Sequence, residues 1–581
     1  MAKLDEFITH FAKANYDAFM VNSQDEFIDE FTPNHLNRLK SLTNFSGSNG
    51  IAIISKEHCV FFTDGRYLTQ AKKQLDKKFT IYDMHQESIA NWIVNNIAPN
   101  TRIAYDSRSF TSSKIIKISK SLQECNIKLY HLSKLPIAVQ QPQTKSKITI
   151  FPKDLAGLES KEKIKENKLL NILTGKQAFF TCDTASICWL LNIRGDDVPY
   201  TPLAHAYFIY NRRLSLLFCD PKKITKELAD YFDILNVKII DLAKINDFGN
   251  ICKQNKIKQV FLDPNYVSYF FYRELKKHEI KIIKMQDPII AQKALKNSVE
   301  ISGIKKAHLL DGIAKTKFLF WLEHHPKPHQ LDELQIANKL LEFRKENADF
   351  IYPSFSTIAA FAENGAIIHY NPTIETNRKF DIDSLLLLDS GGQYKFGTTD
   401  VTRTIAIGTN IKPEQIRDYT LTLKGQIALA TAIFPANITG SQLDVLARQY
   451  LWQDYKDYQH GTGHGVGHFL NVHEGPHNIG KSFNPTILQA GMITSNEPGI
   501  YIDGKYGIRL ENIILVKEEV NNFLSFETLT LVPYDDRLID FTLLTKREKT
   551  WLSCYNKKLN NLMSDYLEEP VKSWLNKKDT S

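Results

Sequence analysis

Five residues spread over the second half of the chain have side chains suited to holding metal: Asp389, Asp400, His464, Glu497 and Glu511. Four carboxylates and one imidazole gathered in a dry site would repel one another and shift their protonation. Two divalent cations would neutralise them. Oxygen-rich ligation with a single nitrogen suits a fairly hard ion such as Mn²⁺, while Zn²⁺, Fe²⁺ and Co²⁺ stay open on affinity alone. A pair of such ions polarises a carbonyl and activates water, so the expected chemistry is metal-assisted hydrolysis.

Each ligand has a local setting. Leu385–Leu388 reads as a buried strand that runs into Asp389, and Ser390-Gly391-Gly392 turns the chain. The β-branched run from Val401 to Ile407 reads as a second strand, whose period of two puts Asp400, Thr402 and Thr404 on one face. If the strands pair, Asp389 and Asp400 meet at one end of the hairpin; taken alone, the pair also fits a capped, solvated turn. His460 and His464 are spaced as on a zinc helix, but four glycines in residues 461–467 argue for an extended or looped segment. Glycine there lets backbone come close to a ligand, and His473 follows nearby. Glu497 precedes a Pro-Gly turn. Arg509 and Glu511 share a strand face, so either Arg509 is the ion partner that lets Glu511 be buried, or Glu511 binds metal while Arg509 orients a neighbouring carboxylate.

These strands need a scaffold. Ala307, Leu310, Ala314, Phe318 and Trp321 recur at helical spacing, and Leu331, Leu334, Ala337 and Leu341 mark another helix. Strand-like segments then dominate from Tyr352 to Val532, which predicts an α+β domain over residues 296–581, with helices covering one face of a curved sheet. The first half carries a loose repeat. Ile51–Ile54, a polar turn and Cys59–Thr63 ending at Asp64 parallel Ala206–Tyr210, a turn and Leu214–Cys219 ending at Asp220. Two similar α/β domains, residues 1–140 and 169–290, follow from that pattern. The polar stretch Gln140–Lys168, with Pro142 and Pro152, reads as a linker. Beyond Glu548 a terminal helix and a frayed end are expected.

Composition narrows the class. At 581 residues, with 43% hydrophobic and 24% charged, the chain is too long for a single small module and too apolar for disorder. The net charge of +8 comes from lysines scattered among acids, without zinc-finger spacing or a basic arm, so no nucleic-acid partner is expected. Seven cysteines lack CxxC spacing and read as buried thiols of a reducing compartment. Residues 1–20 interleave charge with apolar residues, and no 18-residue apolar run occurs, so neither a signal-peptide core nor a membrane span is expected and the location inferred is cytoplasmic.

The ordered ligands, together with the strings LLLLDSGGQYKFGTTDVTRT, HGTGHGVGHFLNVHEGP and SNEPGIYIDGKYGIRLENI, resemble the creatinase-like "pita-bread" metallopeptidases, and among them the three-domain Xaa-Pro aminopeptidases (aminopeptidases P). The likeness extends to WLLNIRG (Trp189–Gly195) and to GRYL at Arg66. It implies two creatinase-N-like α/β units followed by a pita-bread catalytic domain. It also implies that Asp400 and Glu511 bridge two metals, that Asp389 completes one site, and that His464 with Glu497 completes the other. By the same resemblance His369 holds substrate near the metals, and His460 and His473 contact the substrate carbonyl and proline and assist proton transfer. A tertiary amide nitrogen leaves well only when protonated, which suits a histidine titrating near neutrality. Arg66 is a candidate substrate contact and Arg509 supports the ligands from behind. The implied reaction releases an N-terminal residue when proline is second, with Mn²⁺ as the metal and a homodimer as the assembly. Phe318–Leu322 fits a dimer face or a core equally. A prolidase, which cleaves Xaa-Pro dipeptides, and a metal-free binding scaffold on the same fold are the competing readings.

Overall fold

A computed structural model describes residues 4, 6–8, 16–132, 137 and 146–578, and the chain divides into two units, Met1–Lys153 with Leu158–Gln292, and Asp154–Gly157 with Lys293–Ser581. The first unit contains two six-stranded sheets. In one, strands Ala18–Asn22, Ile51–Ser55, Cys59–Thr63, Thr80–Asp83, Arg102–Asp106 and Lys128–Leu132 lie in the spatial order fourth, third, second, first, fifth, sixth. The other repeats that order with Gln177–Thr181, Tyr207–Tyr210, Ser215–Cys219, Val237–Asp241, Gln259–Leu262 and Lys281–Lys284. The two hairpins that suggested a repeat occupy the same places in both sheets. Strand residues alternate between two cores: Phe19, Val21, Ala52 and Ile54 pack on one face, and Ala18, Met20, Ile51 and Ile53 on the other. A sheet covered on both faces needs continuous apolar strands, which is why these runs show no polar alternation.

Part of the presumed linker is folded. Residues 140–145, Pro142 among them, lie outside the described residues, but Ile148–Ile150 pairs with Ile193–Gly195 and Ser160–Glu166 is helical. The Glu-Ser-Lys-Glu-Lys run caps this helix, and Lys163 is buried, donating to the Trp189 carbonyl at 2.8 Å while its Nζ lies over the Trp189 ring. Charge density therefore marked a helix that buries a lysine stem, where composition suggested a solvated connection. Of the cysteines, Cys182, Cys188, Cys219 and Cys252 are buried, Cys59 and Cys125 are half-buried and Cys554 is exposed, so the buried-thiol reading holds for four of them. None of the helices among the described residues is long and apolar enough to cross a membrane.

The second unit opens on the helix Ser298–Glu323, whose N-terminus is closed by a capping box between Asn297 and Glu300. Glu333–Lys345 follows. Its inward face is Glu333, Ile336, Leu340 and Arg344, displaced from the Leu334–Ala337–Leu341 stripe expected from periodicity. The displacement has a polar cause. Arg344 is drawn inside by Asp311, which it grips through Nε at 2.7 Å and Nη2 at 3.1 Å. Phe318, Leu319 and Leu322 lie in the main core of the unit, while Phe320 and Trp321 of the same stretch are half-buried. Three sheets carry the site. Ile358–Phe361, Ser384–Ser390 and Val401–Ile407 form one, and Phe350–Pro353, Gly392–Tyr394 and Gly397–Thr398 a second. The third runs Phe434–Pro435, Phe523–Thr528, Asn512–Glu519, Ile493–Asn496, Gly463–Gly465, Glu474–Ile479 in space. The chain beyond Glu548 is two helices, Lys546–Met563 and Glu569–Lys577, and Trp574 and Leu575 of the second enter the main core.

Candidate metal centre

Ser384–Ser390 and Val401–Ile407 pair antiparallel with Asp389 opposite Thr402 and Ser390 opposite Val401. Asp389 therefore faces the strand end at which Asp400 enters, as expected if the two strands pair. A buried lysine holds this corner closed. Lys315 donates to the Val401 carbonyl at 2.7 Å, to Ser390 Oγ at 3.1 Å and to the Leu388 carbonyl at 3.3 Å, so one side chain ties together the residues flanking both aspartates. Burial, reinforced by the nearby Arg344 charge, pushes its ammonium down to about 7.

The glycine-rich segment is not helical; a short strand is set within a loop, matching the extended or looped expectation. Gly463–Gly465 is a sheet strand between Ile493–Asn496 and Glu474–Ile479. A Cβ on Gly463 would collide with the Ser495 carbonyl and one on Gly465 with the Glu474 carbonyl, so close sheet packing explains these two glycines. The packing aims His464 inward. Its Nδ1 lies 2.9 Å from the Gly465 carbonyl, which can only accept, so Nδ1 carries a proton and the ring presents Nε2 to the cluster. Nε2 faces Asp400 Oδ2 at 3.6 Å and Glu497 Oε1 at 3.4 Å. Such a convergence needs a proton or a cation at its centre, and these separations match neighbouring ligands of one ion at about 2.1 Å.

Asp400, His464 and Glu511 each offer a donor atom within 4.8 Å of the others. Glu511 accepts from Thr402 Oγ1 at 2.8 Å, and Glu497 from Ser495 Oγ at 3.0 Å. Asp389 accepts from Arg509 Nη2 at 2.7 Å through Oδ2, while its buried Oδ1 has no hydrogen-bond partner. Burial, together with the charges of neighbouring carboxylates, pushes Asp400 and Glu511 well above the usual carboxylate range. That is the protonation conflict a divalent ion would relieve, and the orphaned Asp389 oxygen fits its presence.

Arg509 settles the choice left open by the sequence. Its partner is Asp389 and not Glu511, so it orients a carboxylate from behind. It also donates to Tyr501 Oη at 2.7 Å, and Tyr501 Oη lies 2.8 Å from His460 Nε2. His460 Nδ1 donates to the Gly461 carbonyl at 2.8 Å, so in the neutral ring Nε2 accepts from the tyrosine hydroxyl. A chain Asp389–Arg509–Tyr501–His460 results. The His473 ring meets the His464 ring edge-to-face at 4.4 Å between centroids. His369 is half-buried, and the carbonyl of its neighbour Ile368 accepts from Arg509 at 3.3 Å. Arg66 belongs to the first unit, where it forms a two-point pair with Asp64 at 2.9 and 2.8 Å.

The sequence matches metallopeptidase family M24 over residues 302–518 and the C-terminal region of that peptidase over 522–580. Residues 3–135 and 140–300 each match a Creatinase/Prolidase N-terminal domain. It is 34% identical to a probable Xaa-Pro aminopeptidase P of Botryotinia fuckeliana, over 97% of this chain and 90% of that one. The chain belongs to metallopeptidase family M24. It is also 33% identical to aminopeptidase P1 of Arabidopsis thaliana, over 97% of this chain and 96% of that protein. A solved X-prolyl aminopeptidase of Caenorhabditis elegans, described as a cytosolic enzyme with a di-nuclear active site, superposes with a TM-score of 0.91 at 32% identity, covering 100% of this chain and 98% of that one. A Xaa-Pro dipeptidase of Bacillus anthracis shares the fold over 65% of this chain and 99% of its own, with a TM-score of 0.53 at 22% identity.

Several members of this M24 site escaped the sequence reading. Tyr501 and Thr402 sit in strands with no distinctive spacing, and only period two on Thr402 hinted at its direction. Lys315 lies on a long helix where a lysine ordinarily means solvent. Arg403, buried in the Val401–Ile407 strand, donates to the Glu511 carbonyl at 2.7 Å and to Asn512 Oδ1 at 2.8 Å, fixing the strand that delivers Glu511.

Proposed function

We propose that this chain is a Xaa-Pro aminopeptidase that releases the N-terminal residue of peptides with proline second. The observation that carries the reading is the gathering of His464 Nε2 with two carboxylates at 3.4 and 3.6 Å in a cluster with Glu511. Near full-length similarity to Xaa-Pro aminopeptidases supports it. Asp400 and Glu511 would bridge two divalent ions, Asp389 completing one site and His464 with Glu497 the other. When bound, such a pair supplies Lewis acidity toward the scissile carbonyl and a water of lowered pKa. The chain's own residues do the rest. Arg509 holds Asp389 in orientation, and Tyr501 ties Arg509 to the His460 ring. His460 and His473 hand a proton to the proline nitrogen, the step a tertiary amide requires of its leaving group. His369 positions the peptide, and Arg66 is a further substrate contact. A positively charged substrate amine is drawn by the acidic cluster.

In the same reading Mn²⁺ is the working ion, favoured by oxygen-rich ligation. The enzyme acts as a cytoplasmic homodimer, a reading supported by its three-domain length and by the cytosolic C. elegans relative. Its functional segments are residues 1–140, 169–290 and 296–581. The test uses one purified preparation, stripped by chelator, resupplied with Mn²⁺ and offered Xaa-Pro-Xaa tripeptides beside Xaa-Pro dipeptides. Metal-restored tripeptide cleavage is expected. Turnover of dipeptides alone makes it a prolidase, and no hydrolysis with or without metal makes it a scaffold.

A further inference from the structure

The first unit contains a second convergence of metal-ligating side chains. Asp25 and Asp29 follow the strand Ala18–Asn22 of the first sheet, and His205 immediately precedes Tyr207–Tyr210 of the second. All three are buried, Asp25 completely, and each offers a donor atom within 4.8 Å of the other two. The carboxylates are half satisfied in the same way. Asp25 Oδ1 accepts from the Phe27 amide at 2.9 Å, and Asp29 Oδ1 accepts from the Thr184 hydroxyl at 2.5 Å. Both Oδ2 atoms turn toward His205 Nε2, which lies 3.9 Å from that of Asp25 and 3.2 Å from that of Asp29. None of these three inward atoms makes a hydrogen bond, although all are sealed from solvent.

The local framework holds this arrangement. Ile28 adopts φ 65°, a costly conformation for a β-branched residue, and it bends Asp29 back toward Asp25. The His205 ring is stacked on Phe27 at 4.0 Å between centroids with 6° between planes, and its backbone amide is anchored on Asp197 Oδ2 at 2.8 Å. Three buried atoms tied only by the 3.2 Å contact between His205 and Asp29, with Asp25 Oδ2 left unpartnered beside them, are expensive to leave facing one another. Ligand atoms sharing one ion at about 2.1 Å lie roughly 3–4 Å apart, which is the spacing found here.

We propose that Asp25, Asp29 and His205 form a structural site for one divalent first-row ion, distinct from the catalytic cluster, that cross-links the two α/β repeats. Two carboxylates and one imidazole match the charge and softness of Zn²⁺ or Mn²⁺. Each repeat supplies what the other lacks, so the ion stabilises their mutual packing and takes no part in peptide hydrolysis. Without an ion the cluster would have to share protons. Burial and the Asp29 charge already push the Asp25 carboxyl up to about 7.

That rival supplies the test, because Asp25→Asn mimics a protonated carboxyl and keeps the Phe27 amide bond. Full-length wild type, Asp25→Asn and Asp25→Asn/His205→Gln are chelator-stripped and titrated separately with ZnCl2 and MnCl2. Bound metal is counted after desalting, with melting temperature and tripeptide cleavage followed in parallel. The expected result is one metal equivalent fewer in both variants for at least one of the two ions, a lower melting temperature that this ion no longer raises through the lost site, and unchanged cleavage at saturating Mn²⁺. Equal metal content in wild type and Asp25→Asn for both ions, with equal melting temperatures, overturns the site in favour of a proton-sharing cluster. If the double variant is insoluble, the soluble Asp25→Asn protein decides alone.

Discussion

At the residue scale the catalytic cluster is a problem of compensating charge, and each side chain has a separable duty. Glu511 reaches the centre buried, and burial with the Glu497 and Asp389 charges disfavours its ionised form despite the hydrogen bond from Thr402. Glu511→Ala is expected to abolish activity and lower metal stoichiometry by elemental analysis; full occupancy in the variant would remove Glu511 from the ligand set. Tyr501 differs in kind, because it touches no carboxylate of the cluster and links Arg509 to His460. Tyr501→Phe should keep its metal and lose roughly 10–100-fold in kcat, the usual range for groups that orient a metal site from behind. An unchanged kcat would show that the hydroxyl only fills space. His473→Ala should likewise retain metal but lose turnover.

At the element scale the site depends on how closely strands approach. Gly463 lets its strand lie against Ile493–Asn496 with no room for a side chain. Gly463→Ala therefore forces the strands apart, at about 1–3 kcal/mol, and carries His464 away from Asp400. Denaturant unfolding should show the stability loss, and metal affinity should fall with it; normal stability and affinity would mean the sheet absorbs the methyl. Lys315 works on the neighbouring hairpin. Lys315→Met keeps the length of the stem but removes three buried hydrogen bonds, Ser390 Oγ keeping only that from Arg344, a loss of about 1–3 kcal/mol, and loosens the corner where both aspartates sit. Helical periodicity located this helix correctly but not its polar interior. Asp311, Lys315 and Arg344 are buried because they meet strand ends and one another, and a pattern of apolar residues carries no record of such partners.

At the scale of the whole molecule, pH stability follows from charge that folding cannot accommodate. His308 is 2% exposed, and burial pushes its imidazole down to about 4 from an ordinary 6.5. The folded state thus holds the ring neutral while the unfolded chain takes up a proton as pH falls below 6.5. Its contribution is present above that value and is lost as pH drops toward 4, about 3 kcal/mol in full. Melting temperatures of wild type and His308→Leu should converge or cross between pH 7 and 4.5, the variant showing the shallower acid-side slope. Parallel slopes would mean the ring titrates normally. The duplicated sheets express the same global logic. Strands covered on both faces must be apolar throughout, so the repeat was legible as two similar hairpins long before their shared strand order could be known.

What the amino-acid order indicated unaided was the two strands that carry Asp389 and Asp400, the exclusion of a helix from the glycine-rich segment and the existence of two related α/β units. Each is written in local spacing, within reach of a turn or a strand period. Tertiary structure alone decided that Arg509 serves Asp389, 120 residues away, and that Lys315 closes the hairpin from 73 to 86 residues away. It also decided that Asp25 and Asp29 meet His205. Such pairings depend on where the packed core brings distant backbone together, and hydrophobic burial, which does the bringing, is indifferent to the polar groups it gathers.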